Sequence, residues 1–173
     1  ALDKVGLTEK NIKPVLLQHP DGYRALVSGQ VDAWAGLDPH MAKGELETQT
    51  PLFYRNADLN TYGILNVREE FSTKYPLLVK KVLKIYEENR LYAIENPNDL
   101  KKSLIKAVKL SDAVAKKQLN ERTDITNPNI GPKQINTFLT AGNILQKIGI
   151  IKSSVSIKNV VNELVDTSFL FKN

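Results

Sequence analysis

Helical spacing of apolar residues is the dominant feature of the chain beyond residue 75, and it excludes most all-β folds. Within residues 75–95 the apolar side chains recur every three or four positions, as on the buried face of an amphipathic helix. Later helix starts are marked by residues that favour N-caps or the first helical turn, which are Asn96 with Pro97, Ser111, Pro132 and Ser156. The chain beyond residue 75 is therefore predicted to be helical.

The first 58 residues follow a different pattern, in which short apolar runs alternate with short helices. Strands are predicted at residues 14–18, 31–35 and 52–55, and one more at residues 61–67. A helix over residues 21–28 ends at Gly29, where a C-cap residue with positive φ is preferred, and Asp38 precedes Pro39 as an N-cap precedes position N1. This alternation predicts an α/β fold with a parallel or mixed sheet covered by helices.

Composition excludes several classes of protein. The chain of 173 residues has no cysteine, which excludes disulfides, thiolate metal sites and cysteine nucleophiles. Its net charge of +5 comes mostly from lysines scattered along the predicted helices, without the clustered arginine and aromatic residues of a nucleic-acid surface. No apolar run approaches the ~18 residues that span a bilayer.

No arrangement of residues typical of catalysis or metal binding is present in the sequence. His19 and His40 are the only histidines, and their separation matches no metal-binding motif. Adjacent acids such as Glu69 and Glu70 point about 100° apart on a helix and do not form a carboxylate pair. The sequence therefore predicts a protein that is not an enzyme and that needs no cofactor or metal.

Three stretches occur in order along the chain, "ALVSGQVDAW" followed by "DP", then "VREEF" followed by "YP", and finally the closing "LVDTSFL". Together they resemble the second half of solute-binding proteins that serve ABC importers, in the aliphatic sulfonate, taurine and nitrate branch. The resemblance implies a type II periplasmic-binding-protein-like α/β fold with two lobes. Residues 1–58 would be the remainder of the second lobe, and residues 59–173 a return crossing strand with the C-terminal helices of the first lobe.

The resemblance also implies a function and a location. The chain would be part of an extracytoplasmic protein, in the periplasm or held at the cell surface as a lipoprotein, that binds a small organosulfonate such as an alkanesulfonate or taurine. It would deliver this anionic solute to the transmembrane subunits of an ABC permease, and any membrane anchor would lie outside the given sequence. The alternatives are a binding protein for nitrate or a thiamine-pyrimidine precursor, and the ligand-sensing domain of a regulator.

Candidate ligand-binding residues follow the predicted strands, because open α/β sheets bind ligands at the carboxyl ends of their strands. Gln18, His19 and Asp21 follow the first strand. His19 is either an anion donor or an ordinary loop histidine, and Asp21 either faces the ligand or caps the following helix.

The second predicted strand places Trp34, Gly36 and Asp38 at the same site. The Trp34 indole either lies along the ligand's alkyl chain or packs between structural elements. Asp38 either accepts the amine of an aminosulfonate or serves only as an N-cap. Independently of this site, the apolar residues around Leu78, Val82 and Tyr86 are predicted to remain exposed and to cause self-association or domain exchange.

Overall fold

The described part of the chain is built from helices joined by extended segments. The computed structural model describes residues 2–57 and 62–169, which contain two short 3₁₀ helices, Leu2–Val5 and Glu9–Asn11. The α-helices of these residues are α1 (His19–Val27), α2 (His40–Glu47), α3 (Glu69–Lys74), α4 (Pro76–Glu95), α5 (Pro97–Val108), α6 (Asp112–Arg122), α7 (Pro132–Lys147) and α8 (Ile157–Leu164).

The predicted α/β fold class is wrong. Residues 2–57 and 62–169 contain helices and turns but no β-strand. Residues 14–18, 31–35, 52–55 and 62–67, predicted as strands, carry neither helical nor strand structure, and residue 61 lies outside the described residues. Short apolar runs become strands only where a neighbouring backbone completes a hydrogen-bonded ladder. Leu16, in the middle of one such run, is 96% exposed, so it packs into no layer.

The chain divides into two compact units, each with its own small core. Unit 1 consists of Ala1–Arg55 with Asn96–Asp124, and unit 2 of Asn56–Glu95 with Ile125–Asn173. The buried apolar residues of unit 1 are Ala25, Ala42, Val114 and Ala115, and those of unit 2 are Val79, Ile157 and Val161. The division predicted between residues 58 and 59 stays a prediction, because both residues lie outside the described part.

Helix ends agree with the capping residues in the sequence. The Ser111 Oγ accepts a hydrogen bond from the Val114 N–H at the start of α6, and the Ser156 Oγ accepts one from the Asn159 N–H at the start of α8. After α1, Gly29 has the predicted positive φ, 71°. Without a Cβ, glycine adopts this conformation without steric penalty. These predicted helix boundaries are confirmed.

Arg90 on α4 connects two segments of unit 2 through hydrogen bonds. The Arg90 guanidinium donates two hydrogen bonds of 2.7 Å to the Glu87 carboxylate, and its Nη1 donates to the Ile125 carbonyl oxygen at 2.8 Å. The hydrogen bonds from Arg90 hold the pKa of Glu87 below its usual value. Arg90 therefore joins α4 to the segment that precedes α7.

Within residues 2–57 and 62–169, every helix is too short or too polar to span a lipid bilayer. The longest, α4, has 20 residues, and these include Lys80, Lys81 and Lys84.

Candidate functional site

Four ring-bearing residues of unit 1 form a continuous cluster between α1 and α2. The Trp34 ring lies 6.4 Å from the His19 ring and 6.0 Å from the Tyr23 ring, measured between centroids. The Tyr23 ring stacks on the His40 ring at 5.8 Å with an interplanar angle of 26°. We call His19, Tyr23, Trp34 and His40 the aromatic cluster.

A glycine in α1 allows the Trp34 indole to approach the helix. A Cβ placed on Gly22 would lie 2.3 Å from Trp34 Nε1 and 2.6 Å from its Cδ1. On its other side the indole faces Gly36, where a Cβ would come within 2.6 Å of Trp34 Cζ3. The half-buried indole is therefore packed closely against the backbone at both glycines.

The surroundings of the aromatic cluster are basic. Burial lowers the pKa of His40 from its usual value, and the positive charges of Lys43, His19 and Arg24 lower it further. The ammonium group of Lys43 lies 6.0 Å from the centroid of the Tyr23 ring. An anion at this surface would meet ring faces together with cationic groups.

The structure brings together only some of the residues predicted to bind ligand. His19 and Trp34 are neighbours, and Gly36 contacts the same indole. His19 is the first residue of α1 rather than a residue of the preceding loop. The Gln18 side chain makes no capping hydrogen bond, and exposed Asp21 pairs with Arg24 at 3.2 Å. The predicted position of these residues at the edge of a sheet is wrong, because the described residues form no sheet.

Asp38 has a structural environment that the sequence did not reveal. Its Oδ1 accepts hydrogen bonds from the Ala42 N–H at 3.0 Å and from Arg122 Nη1 at 2.8 Å. The prediction of Asp38 as N-cap and Pro39 as position N1 is wrong, because α2 begins at His40 with Pro39 in the N-cap position, and Asp38 accepts its capping hydrogen bond from one residue before the N-cap. The Arg122 side chain is 5% exposed and also contacts the Glu45 carboxylate. The role of Asp38 as an acceptor for the amine of an aminosulfonate stays a prediction.

Comparison with known proteins gave no relative. No protein-family model matches the chain, and no curated protein or solved structure matches it.

Sequence reasoning missed Tyr23 and His40 as members of the aromatic cluster. Tyr23 lies four residues after His19, and residues at that spacing share one face of a helix. This four-residue spacing is visible in the sequence, but it places Tyr23 on the same helical face as His19 only when the helix begins at His19. The predicted helix begins at residue 21. The contact of His40 with Tyr23 depends on the packing of α2 against α1 and left no signal in the sequence.

The arrangement is suited to binding. Among residues 2–57 and 62–169, no three His, Cys, Asp or Glu side chains are grouped so that they could hold a metal ion. The aromatic cluster offers ring faces to an apolar group and N–H donors to an acceptor. Binding of a small, partly apolar anion is the chemistry that these groups support.

A Gly22→Ala substitution tests how closely the indole approaches α1. Alanine is favoured over glycine inside a helix by roughly 0.5–1 kcal/mol, yet the new Cβ would displace the Trp34 ring. We expect a net loss of about 1–3 kcal/mol in the free energy of unfolding, as for other overpacked sites, and altered Trp34 fluorescence. Gly63→Ala is the control, because nothing lies within 4 Å of its Cβ position. Unchanged stability and emission in Gly22→Ala would contradict the observed packing.

Proposed function

We propose that the chain is the solute-binding part of an ABC importer and that its aromatic cluster in unit 1 binds a small organosulfonate, an alkanesulfonate or taurine. The observation that supports this proposal is the position of Trp34, which packs over Gly22 and beside His19 and Tyr23. The ring faces would cover a short alkyl chain. The neighbouring Lys43 and Arg24 would favour the sulfonate charge.

The importer role is supported by the sequence resemblance. The three stretches "ALVSGQVDAW", "VREEF" and "LVDTSFL" occur in the order seen in that family, and the first of them ends at Trp34. On this proposal the protein works outside the cytoplasm, in the periplasm or as a lipoprotein at the cell surface. Its partners are a small anionic solute and the transmembrane subunits of the permease.

Calorimetric titration with four ligands separates the proposal from its alternatives. Ethanesulfonate and taurine combine an anionic group with a short carbon chain, nitrate lacks the carbon chain, and an aminopyrimidine lacks the negative charge. We expect saturable binding of the sulfonates and at least tenfold weaker binding of the other two. Tighter binding of nitrate or the aminopyrimidine would support the corresponding alternative and overturn the proposal, as would the absence of heat with every ligand.

An exposed apolar face of α4 supports a further proposal, that two copies of the chain associate. Leu78, Val82 and Tyr86 are 46%, 41% and 56% exposed, and their spacing of four residues places them along one side of the helix. The exposed charges of α4 change sign along its length, from Lys80, Lys81 and Lys84 to Glu88 and Glu95, whereas the Glu87 carboxylate is bonded to Arg90. Antiparallel pairing of two α4 helices would therefore place lysines opposite glutamates.

Substitution within this face tests the association. Val82→Lys adds a charge to the apolar face and is expected to give a monomer at concentrations where the unmodified chain is dimeric. Leu16→Lys is the matched control, because Leu16 is 96% exposed and lies in unit 1. Sedimentation equilibrium measures both variants. A chain that is monomeric at all concentrations, or equal dissociation of both variants, would contradict α4 pairing.

A further inference from the structure

Beside the aromatic cluster, and sharing His40 with it, unit 1 contains a cleft between the start of α2 and the end of α5. Its volume is about 260 Å³. At about 30 Å³ for each water molecule, it has room for roughly nine waters, which is enough for a phosphate group with a short carbon chain. The cleft is lined by Pro39, His40, Lys43, Val108, Lys109 and Leu110.

The lining combines an apolar part with a basic part. Pro39, Val108 and Leu110 contribute the apolar part. Two lysines come from different segments of the chain. Lys43 lies on α2, and Lys109 is the C-cap residue directly after α5. Lys109 has the left-handed conformation, with φ 53° and ψ 50°, which is uncommon for residues other than glycine, asparagine and aspartate.

We propose that this cleft binds a small phosphate monoester, with Lys43 and Lys109 contacting the phosphate and His40 donating a ring N–H to it. The two lysines match the charge of a phosphate monoester, about −1.5 to −2 at pH 7, better than that of a singly charged sulfonate. The apolar residues would contact the carbon chain of the ester. The proposal does not rest on organosulfonate binding at Trp34.

Acidic groups near the cleft leave its basic character in place. Lys43 Nζ lies 3.7 Å from the Glu47 carboxylate, but both side chains are more than 40% exposed, and such a surface pair is weak. The Asp38 carboxylate is bonded to the Ala42 N–H and to Arg122. The charged groups that act on His40 are Lys43, His19 and Arg24, all basic.

Nuclear magnetic resonance of the two histidines tests the site with inorganic phosphate as the probe. A bound dianion favours the protonated imidazole, so added phosphate should raise the pKa of His40 in a saturable way. His19 does not line the cleft and serves as the internal reference. We expect a clearly smaller shift for His19. Equal shifts of both histidines, or no saturable shift of His40, would overturn the proposal.

Charge-removing variants locate the phosphate within unit 1. Lys109→Asn removes the ammonium group but keeps a residue that tolerates positive φ, and we expect about tenfold weaker phosphate binding. Lys43→Gln should weaken binding to a similar extent, which gives a second measurement should Lys109→Asn not fold. Lys116→Gln, an exposed lysine on α6, should change the affinity less than twofold. Equal effects of all three variants would indicate general surface charge and overturn the site.

Separate titrations of the unmodified chain with phosphate and with ethanesulfonate distinguish this inference from the proposed function. Phosphate binding without organosulfonate binding would overturn the proposed function alone. Organosulfonate binding without phosphate binding would overturn the cleft alone.

Discussion

The Arg122→Met variant is expected to lose about 3–5 kcal/mol in the free energy of unfolding of unit 1. The Arg122 side chain is 5% exposed, donates to Asp38 at 2.8 Å and contacts Glu45. Removing the guanidinium leaves two shielded carboxylates that lack their main counter-charge, and the Lys117 ammonium group is 3.9 Å from only one of them. A loss of this size is a large fraction of the stability of a typical domain.

Urea unfolding followed by Trp34 fluorescence measures this loss. Trp34 is the only tryptophan and belongs to unit 1, so its emission reports that unit. Arg24→Met is the matched control, because it removes the same group from an exposed pair with Asp21, which should cost at most about 1 kcal/mol. Similar midpoints for the two variants would contradict the structural role assigned to Arg122.

The Trp34→Ala variant is expected to bind organosulfonates tenfold to a hundredfold more weakly than the unmodified chain. A single aromatic contact in a desolvated site contributes about 1–3 kcal/mol, and each 1.4 kcal/mol changes affinity tenfold. The indole is half-buried against α1, and its loss removes the central ring between His19 and Tyr23.

Two controls distinguish a lost contact from a lost fold. Trp34→Phe keeps an aromatic ring and should retain more of the affinity than Trp34→Ala. Circular dichroism should show the same helix content in both variants at the temperature of the titration. Equal affinities for ethanesulfonate in Trp34→Ala and the unmodified chain, measured by calorimetry, would exclude the indole from the site.

The helices could be predicted because their signals are local. The Asn96-Pro97 pair begins α5, and Ser111 and Ser156 cap α6 and α8 as their sequence positions suggested. Asn96 and Pro97 are adjacent, and each serine cap joins residues three positions apart. Such contacts depend little on the rest of the fold.

The extended segments could not be predicted in the same way, because a strand is defined by its partner. The run around Leu16 has apolar residues in a pattern that fits a buried strand, yet Leu16 is exposed and no ladder forms among the described residues. The apolar pattern indicates that the segment is extended, but it does not indicate which other segment lies beside it. The predicted α/β fold is wrong because these extended segments have no partner strand among the described residues.

The candidate site was predictable only in part, for the same reason. The proximity of Trp34 and His19 followed from expected strand ends, and the structure brings them together through α1 instead. The bond between Asp38 and Arg122 joins residues 84 positions apart. It reveals a structural role for Asp38 that a local N-cap pattern could not show.

The most direct test of the proposed function is a search for nuclear Overhauser effects between bound ethanesulfonate and the Trp34 indole. The indole protons are unambiguous, because the chain has one tryptophan. The proposal predicts intermolecular effects from the ligand's methylene and methyl protons to the Trp34 ring, together with weaker ones to Tyr23. Saturable binding of ethanesulfonate without any contact to the Trp34 ring, or no binding at all, would contradict it.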